Sequence, residues 1–505
     1  MGSIYFELIY LFIVLSITSF ILNIIYSKFP KKGEKKKILG IISNIFTIIY
    51  AIVVGLYFVF FFYISKELLI QLNKYKIQIM IYNLMIVGFF FLIFIKILIC
   101  MKNRENIIEL ELPSKSEANY GELSLGDLIQ NNKEKYNFFL SIKDLEKHMF
   151  ICGATGTGKT NFLHNFLINL QKIYTLPFLI VEFKGEYHFL QEEIKDCVIL
   201  WPGKNFGINI FDPQGINPII HAERIFDILK SGNFFNENYD FSPQMEKVLV
   251  EILVEVCNNR ELRSWEGFEH ICDAYLRKKQ NSIPMLKQSL IGIKNRIRRY
   301  SNGPLRSLFK NKKEYHIRSI FNKKIIIDLS SIIRLGGDKQ DALFYLNLLL
   351  KYLWDRNITK GAYNFKGIDH LTIIEDAQYF APENITGKSK LTTYIEDIAL
   401  LLRGTGECLI TLSTRPDISQ EILANAGIVV SFRNYYKKDL VAEILNLKDE
   451  QKEYLSFLKE GECILRVNSI KFPFHMKIPQ IRRKDLRITK ILQSNHRISE
   501  CNINL

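Results

Sequence analysis

Met149-Phe150-Ile151-Cys152-Gly153-Ala154-Thr155-Gly156-Thr157-Gly158-Lys159-Thr160 reads as a short apolar strand, a glycine-rich turn and the start of a helix. The turn fits G-x-x-x-x-G-K-[ST] at every specified position, from Gly153 to Thr160. Glycines let successive backbone N–H groups point inward around a phosphate, where a Cβ would obstruct them. The following helix adds its unpaired N-terminal N–H groups and the positive end of its dipole. Lys159 is placed to reach terminal phosphates, and the Thr160 hydroxyl to ligate Mg²⁺. Phe162, Phe166 and Leu170 fall on one helix face, so the turn has the strand–turn–helix context that a chance match would lack. Gly153, Ala154, Thr155, Gly156, Thr157, Gly158, Lys159 and Thr160 are therefore the expected nucleotide contacts.

Working outward, a buried strand Phe178-Leu179-Ile180-Val181 delivers Glu182-Phe183-Lys184-Gly185-Glu186 to its carboxyl end. Strand, helix, strand in this rhythm argues a parallel α/β sheet. From about 218 to 320 the periodicity turns helical, which reads as an all-α insertion. The sheet resumes at Ile325–Leu329. Leu371-Thr372-Ile373-Ile374 then presents Glu375-Asp376 at its end. In an open α/β sheet that edge also carries the phosphate loop. One carboxylate, Glu375, is expected to hold hydrated Mg²⁺ with Thr160; the other, Asp376, to orient or deprotonate water. Strand Cys408–Leu412 leads to Ser413-Thr414-Arg415-Pro416, polar residues placed to sense a γ-phosphate. Gly461–Leu465 completes the expected sheet.

The 505-residue chain carries a formal charge of +15, which invites a nucleic-acid reading until its location is followed. Residues 1–104 hold twelve Lys/Arg against three acids, and 482–505 six against two, so the intervening region is only +2. Three apolar runs, Ile4–Tyr26, Ile38–Ile64 and Ile77–Cys100, are each long enough to cross a hydrocarbon core of ~30 Å. The first lacks the basic flank and small-residue cleavage site of a signal peptide. Lysines crowd Ser27–Lys37, which places that loop in the cytoplasm, the N-terminus outside, and everything after the third run in the cytoplasm. The expected organisation is a three-helix transmembrane anchor (1–104), a small β-rich segment (105–147), the first part of the nucleotide domain (148–217), the insertion (218–320), the second part (321–481) and a basic tail (482–505). The tail is expected to be mobile or packed on a neighbour.

Within the insertion, residues 287–324 hold twelve basic residues against Glu314 alone. Lys287, Lys294 and Arg298 share one helix face, opposite Leu286, Leu290, Ile293 and Ile297. That face is either a phosphate-backbone contact surface or a solvated face meeting an acidic neighbour. The eight cysteines are scattered, without C-x-x-C pairs, and so carry no signature of cysteine-ligated zinc. Free buried thiols are expected.

Together these pieces resemble the HerA/FtsK superfamily of DNA-pumping ATPases, nearest the HerA branch and the conjugative coupling ATPases. The resemblance covers about 121–480. It rests on Leu145-Glu146-Lys147-His148 before the phosphate loop, Glu182-Phe183-Lys184-Gly185-Glu186-Tyr187, Glu375-Asp376-Ala377-Gln378, Ser413-Thr414-Arg415-Pro416 and the late Gly461-Glu462. It implies a RecA-like P-loop NTPase sheet, ATP and Mg²⁺ as cofactors, DNA as cargo, and a homohexameric ring. In such a ring an arginine from the next subunit, Arg403 or Arg433, would complete each site. With the membrane runs, it implies a conjugation-like or DNA-exchange motor at the cell membrane, docked on an integral-membrane channel partner. Two departures stand out. Thr414 occupies a sensor position where the family normally has Gln, and Asp376 a position where the motif commonly reads Glu-Ala-His. Both touch hydrolysis more than binding. They keep open an ATP-binding scaffold with little turnover, beside an ATPase that powers protein secretion.

Overall fold

A computed structural model describes residues 108–232, 241–310, 315–361, 367–383 and 393–503. The three apolar runs expected to span a membrane lie outside these residues. Among the described residues no helix is long and apolar enough to cross a membrane.

Among the described residues, eleven strands form one sheet. In chain order they are β1 (Leu123–Gln130), β2 (Lys133–Leu140), β3 (Met149–Cys152), β4 (Phe178–Glu182), β5 (Cys197–Leu200), β6 (Lys324–Asp328), β7 (His370–Ile374), β8 (Glu407–Ser413), β9 (Ile428–Ser431), β10 (Glu462–Val467) and β11 (Phe474–Lys477). Their order across the sheet is β2-β1-β11-β10-β9-β3-β8-β7-β4-β6-β5. From β9 to β5 every neighbouring pair is parallel, and from β9 to β2 every pair is antiparallel.

The parallel strands are mostly apolar and almost wholly buried because both their faces are covered. Along β4, Phe178 and Ile180 join the core on one side, and Leu179 and Val181 the core on the other. Helix α1 (Lys159–Ile173) covers the first side with Phe162, Leu163, Phe166, Leu167 and Leu170. The second side receives the insertion and a long later helix. The insertion contains α2 (Pro218–Gly232), α3 (Pro243–Asn258), α4 (Trp265–Lys279) and α5 (Leu286–Ser301), and its described residues include no strand. The later helix, α6 (Lys339–Lys360), starts at an Asp338 capping box and ends before Gly361. It is buried almost all round, since it lies against both the sheet and the insertion. A shorter helix, α7 (Thr393–Leu401), precedes β8.

Three expectations change. Within the expected β-rich segment 105–147, residues 108–112 form no strand, whereas 123–140 forms the hairpin β1–β2. That hairpin joins the main sheet through β11, which sequence patterning does not reveal: Asp127 and Leu128 pair with Lys477 and Met476. The tail is neither free nor given to a neighbour. It forms α8 (Ile488–Ile503), which buries Ile491 and docks on β5, where Asn495 donates to the Ile199 carbonyl at 2.6 Å and accepts from its N–H at 3.1 Å. Cys152, Cys197, Cys257, Cys272, Cys408 and Cys463 are free and buried, as expected.

Candidate functional site: a nucleotide cleft at one sheet edge

Parallel register brings the chemistry together. Cys152 of β3 pairs with Ser413 of β8, Ile374 of β7 with Thr411 of β8, and Val181 of β4 with Ile374. The residues that follow each strand therefore emerge at one edge. They line a cleft of about 1020 Å³ that includes Thr155, Lys159, Thr160, Lys184, Glu375, Asp376 and Thr414.

The phosphate loop is held from behind by residues far along the chain. The Ala154 N–H donates to the Arg433 carbonyl at 2.8 Å, and the Gly461 N–H to the Thr157 carbonyl at 3.0 Å. Gly153 has φ +147°, and a Cβ there would lie 2.6 Å from the Cβ of Phe432. Gly158 has φ +119°, with Phe432 and Gly461 again the nearest neighbours. These two positions need glycine both for backbone conformation and for close approach. Lys159 turns back on its own loop, donating to the carbonyls of Gly153 at 2.7 Å and Ala154 at 3.0 Å. Burial pulls its pKa down, and the nearby Cys152, Glu375 and Asp376 oppose that shift.

Glu375 is 6% exposed, and its Oε2 has no hydrogen-bond partner. Burial, followed by repulsion from Glu186, pushes its pKa up to about 7. A buried carboxylate oxygen without a partner beside a phosphate loop fits a hydrated Mg²⁺, which would supply the missing positive charge. Asp376 adopts a left-handed backbone, φ 53°, and ion-pairs with Lys184 at 2.9 Å. Burial lowers the pKa of Lys184, but the bond to Asp376 outweighs it and the net shift is upward.

Gln378 bridges two strands. Its Nε2 donates to Asp376 Oδ1 at 3.1 Å, while its Oε1 accepts from Ser413 Oγ at 2.8 Å and from the Thr414 N–H at 3.2 Å. Sequence reasoning assigned no role to Gln378 or Lys184. The signal was present, since both sit inside motifs already singled out.

The remaining expected residues lie elsewhere. Arg403 opens a single 3-10 turn before the amino end of β8, the sheet edge opposite the cleft. It is therefore not part of this chain's own nucleotide site. Arg433 holds the phosphate loop through its carbonyl, and its guanidinium stands 6.0 Å from the Tyr435 ring. On α5, Lys287 and Arg298 are exposed. Lys294 instead pairs with Glu269 and Asp273 of α4, the latter at 3.5 Å. Of the expected basic face, Lys294 is thus spent within the insertion. Arg299 and Arg306 are likewise paired, with Asp341 at 2.6 Å and with Glu266.

Residues 123–351 match the family model described as "Helicase HerA, central domain". The chain is 25% identical over 388 residues to the DNA double-strand break repair helicase HerA of Saccharolobus solfataricus, covering 72% of this chain and 70% of the relative. The chain is a P-loop ATPase similar to the HerA/FtsK type. The HerA of Sulfolobus acidocaldarius is 24% identical to this ATPase over 381 residues, with the same coverage. Among solved structures, VirB4 of Thermoanaerobacter pseudethanolicus has a TM-score of 0.56 at 13% identity, over 72% of this chain and 97% of that one. The plasmid coupling protein TrwB, in complex with a non-hydrolysable ATP analogue, has a TM-score of 0.54 at 10% identity, over 75% and 95%. At those identities the likeness is one of fold. The cleft of this ATPase fits ATP and Mg²⁺.

Proposed function

We propose that this ATPase is a DNA translocase that works as a homohexameric ring tethered to the cytoplasmic face of the cell membrane. The observation that carries the motor reading is the bridge Asp376–Gln378–Thr414, which joins the acidic motif to the strand that senses the nucleotide. A link of this kind couples the state of the phosphates to the position of β8 and the loops that follow it. The DNA reading is supported by the HerA relatives, named as DNA double-strand break repair helicases, and by the exposed Lys287 and Arg298. The anchor rests on the three apolar runs of residues 1–104 and the lysine-rich loop between the first two. An integral-membrane channel is the partner such an anchor suits.

In this scheme Lys159 leaves its two loop carbonyls to meet the terminal phosphates. Thr160 and Glu375 hold the hydrated ion. Mg²⁺ bound with the nucleotide supplies charge neutralisation at the phosphoryl oxygens. Asp376, held by Lys184 and Gln378, orients the attacking water. Arg403, in the turn at the opposite sheet edge, completes the nucleotide site of a neighbouring subunit. Displacement of a triplex-forming strand from duplex DNA, with ATP and the full chain, tests the proposal. ATP-dependent displacement by wild type, absent in Lys159→Ala, supports it; ATP hydrolysis without any displacement contradicts it. A second reading, an ATP-binding scaffold, is favoured by the engagement of Asp376 in its ion pair with Lys184.

A further inference from the structure

Behind the nucleotide cleft, at the carboxyl ends of β4 and β6, two buried carboxylates face each other. Glu182 is 0% exposed and Asp328 1%. They are paired across the parallel ladder, Glu182 opposite Asp328. One oxygen of Glu182, Oε2, accepts the N–H groups of Lys184 at 2.9 Å, Gly185 at 2.6 Å and Glu186 at 3.2 Å. Its other oxygen, Oε1, has no hydrogen-bond partner. Nε2 of His188 lies 3.5 Å from that Oε1 and 3.2 Å from Asp328 Oδ2, and also forms no hydrogen bond of good geometry. Three ligand-type atoms thus lie within 4.8 Å of one another. Two ligands about 2.1 Å from a common ion lie about 3.0–3.4 Å apart at octahedral to tetrahedral angles, close to the 3.2 and 3.5 Å around His188.

We propose that Glu182 Oε1, His188 Nε2 and Asp328 Oδ2 hold a divalent transition-metal ion, of the Zn²⁺ or Mn²⁺ class, separate from the Mg²⁺ of the nucleotide cleft. Mixed oxygen and imidazole donors suit such ions. The surroundings supply what a metal centre needs beyond its ligands. Trp201 Nε1 donates to Asp328 Oδ2 at 2.9 Å, and the Ser330 N–H to Asp328 Oδ1 at 2.9 Å, so the carboxylate is fixed in orientation. A cavity of about 390 Å³ opens on the cluster and gives entry for the ion and for water ligands. Its rim is net basic, Lys184, Arg334, Arg483 and Lys484 against Glu186 and Asp485, so the negative charge that draws a cation comes from the cluster itself. The ion ties β4 to β6 and pins the turn 184–186. That turn carries Lys184 to Asp376, so the ion's effect reaches the nucleotide cleft through one side chain. The proposal does not depend on DNA being the cargo.

The competing occupant is a proton shared within the cluster. Purified full-length protein, stripped with chelator and kept in excess Mg²⁺ to satisfy the nucleotide site, is titrated with Zn²⁺ and with Mn²⁺ by calorimetry. Metal content is then measured after dialysis. The expected result is one retained ion per chain and a metal-dependent rise in Tm, with affinity reduced roughly a hundredfold or more in His188→Gln and Asp328→Asn. Replacement by Co²⁺ gives a readout that needs no variant: visible absorption bands of a nitrogen–oxygen site at one equivalent. Absence of stoichiometric binding and of Co²⁺ bands in the wild type overturns the proposal and leaves the proton. Undiminished binding in a folded His188→Gln overturns it as well.

Discussion

The side-chain carbonyl of Gln378 accepts the backbone N–H of Thr414 at 3.2 Å, while its amide nitrogen donates to Asp376 at 3.1 Å. One buried amide therefore spans the acidic motif and the sensor strand. Position 414, Gln in the motif this chain resembles, is a Thr here, and Gln378 accepts its backbone N–H from the turn that follows β7.

Gln378→Ala removes that bridge while leaving the phosphate loop intact. Turnover is expected to fall by about tenfold to a hundredfold, the scale of losing one positioned hydrogen-bonding group. The affinity for a non-hydrolysable ATP analogue should change little. Adding Thr414→Gln to that variant should recover part of the loss. Equal kcat in wild type and Gln378→Ala, from steady-state ATP hydrolysis, contradicts the role.

Stability should fall in mild acid. Burial holds His164 and His221 at about 3, Arg483 adding to the shift at His164 and Lys351 at His221. In the unfolded chain both titrate near about 6.5. Above that pH neither state gains a proton, and these residues cost nothing. Below it the unfolded chain takes up protons that the folded chain refuses, so stability declines until the pH approaches the folded value. At pH 5 each accounts for about 2 kcal/mol. His164 packs edge-on between Tyr187 and Phe189, so His164→Phe should flatten the dependence of Tm on pH between 7 and 5. A parallel curve refutes this assignment.

On α5 the exposed pair should carry DNA contact and the bridged lysine should not. Lys287→Ala with Arg298→Ala is expected to weaken DNA binding uniformly across sequences. The slope of log affinity against log salt should drop by about 2, since each phosphate contact contributes roughly 0.9. Lys294→Ala breaks its link to Glu269 and Asp273 and should lower Tm more than DNA affinity. Fluorescence anisotropy over a salt series, beside thermal melts, separates the two effects.

Much of this was legible in the sequence because it is local. The phosphate loop is contiguous from Gly153 to Thr160, and its flanking strand and helix have the right periods. Glu375 and Thr414 were readable because each ends an apolar strand, and parallel strands share a carboxyl edge. What stayed hidden depends on register. The burial of Gly153 against Phe432, and of Gly158 against Phe432 and Gly461, joins segments far apart in the chain. Gln378 faces Thr414 only because Ile374 pairs with Thr411. Strand β11 is four residues long and was missed, although it welds the β1–β2 hairpin to the sheet. The tail reads as a charged segment, and its surplus of Lys and Arg masks the buried Ile491 and Asn495. The charges on α5 were visible, but their acidic partners sit on α4 and at the start of α6. Arg403, expected to act in a neighbouring subunit's site, lies ahead of β8 and hence at the sheet edge away from this chain's own cleft.

ATP hydrolysis by the full-length protein, with and without double-stranded DNA, tests the central claim most directly. Wild type should hydrolyse ATP in the presence of Mg²⁺ and respond to DNA with a severalfold increase. Lys159→Ala and Glu375→Gln should each lose on the order of a hundredfold or more of that rate. A wild-type rate no higher than that of Glu375→Gln, unchanged by DNA, would contradict the motor and leave an ATP-binding scaffold.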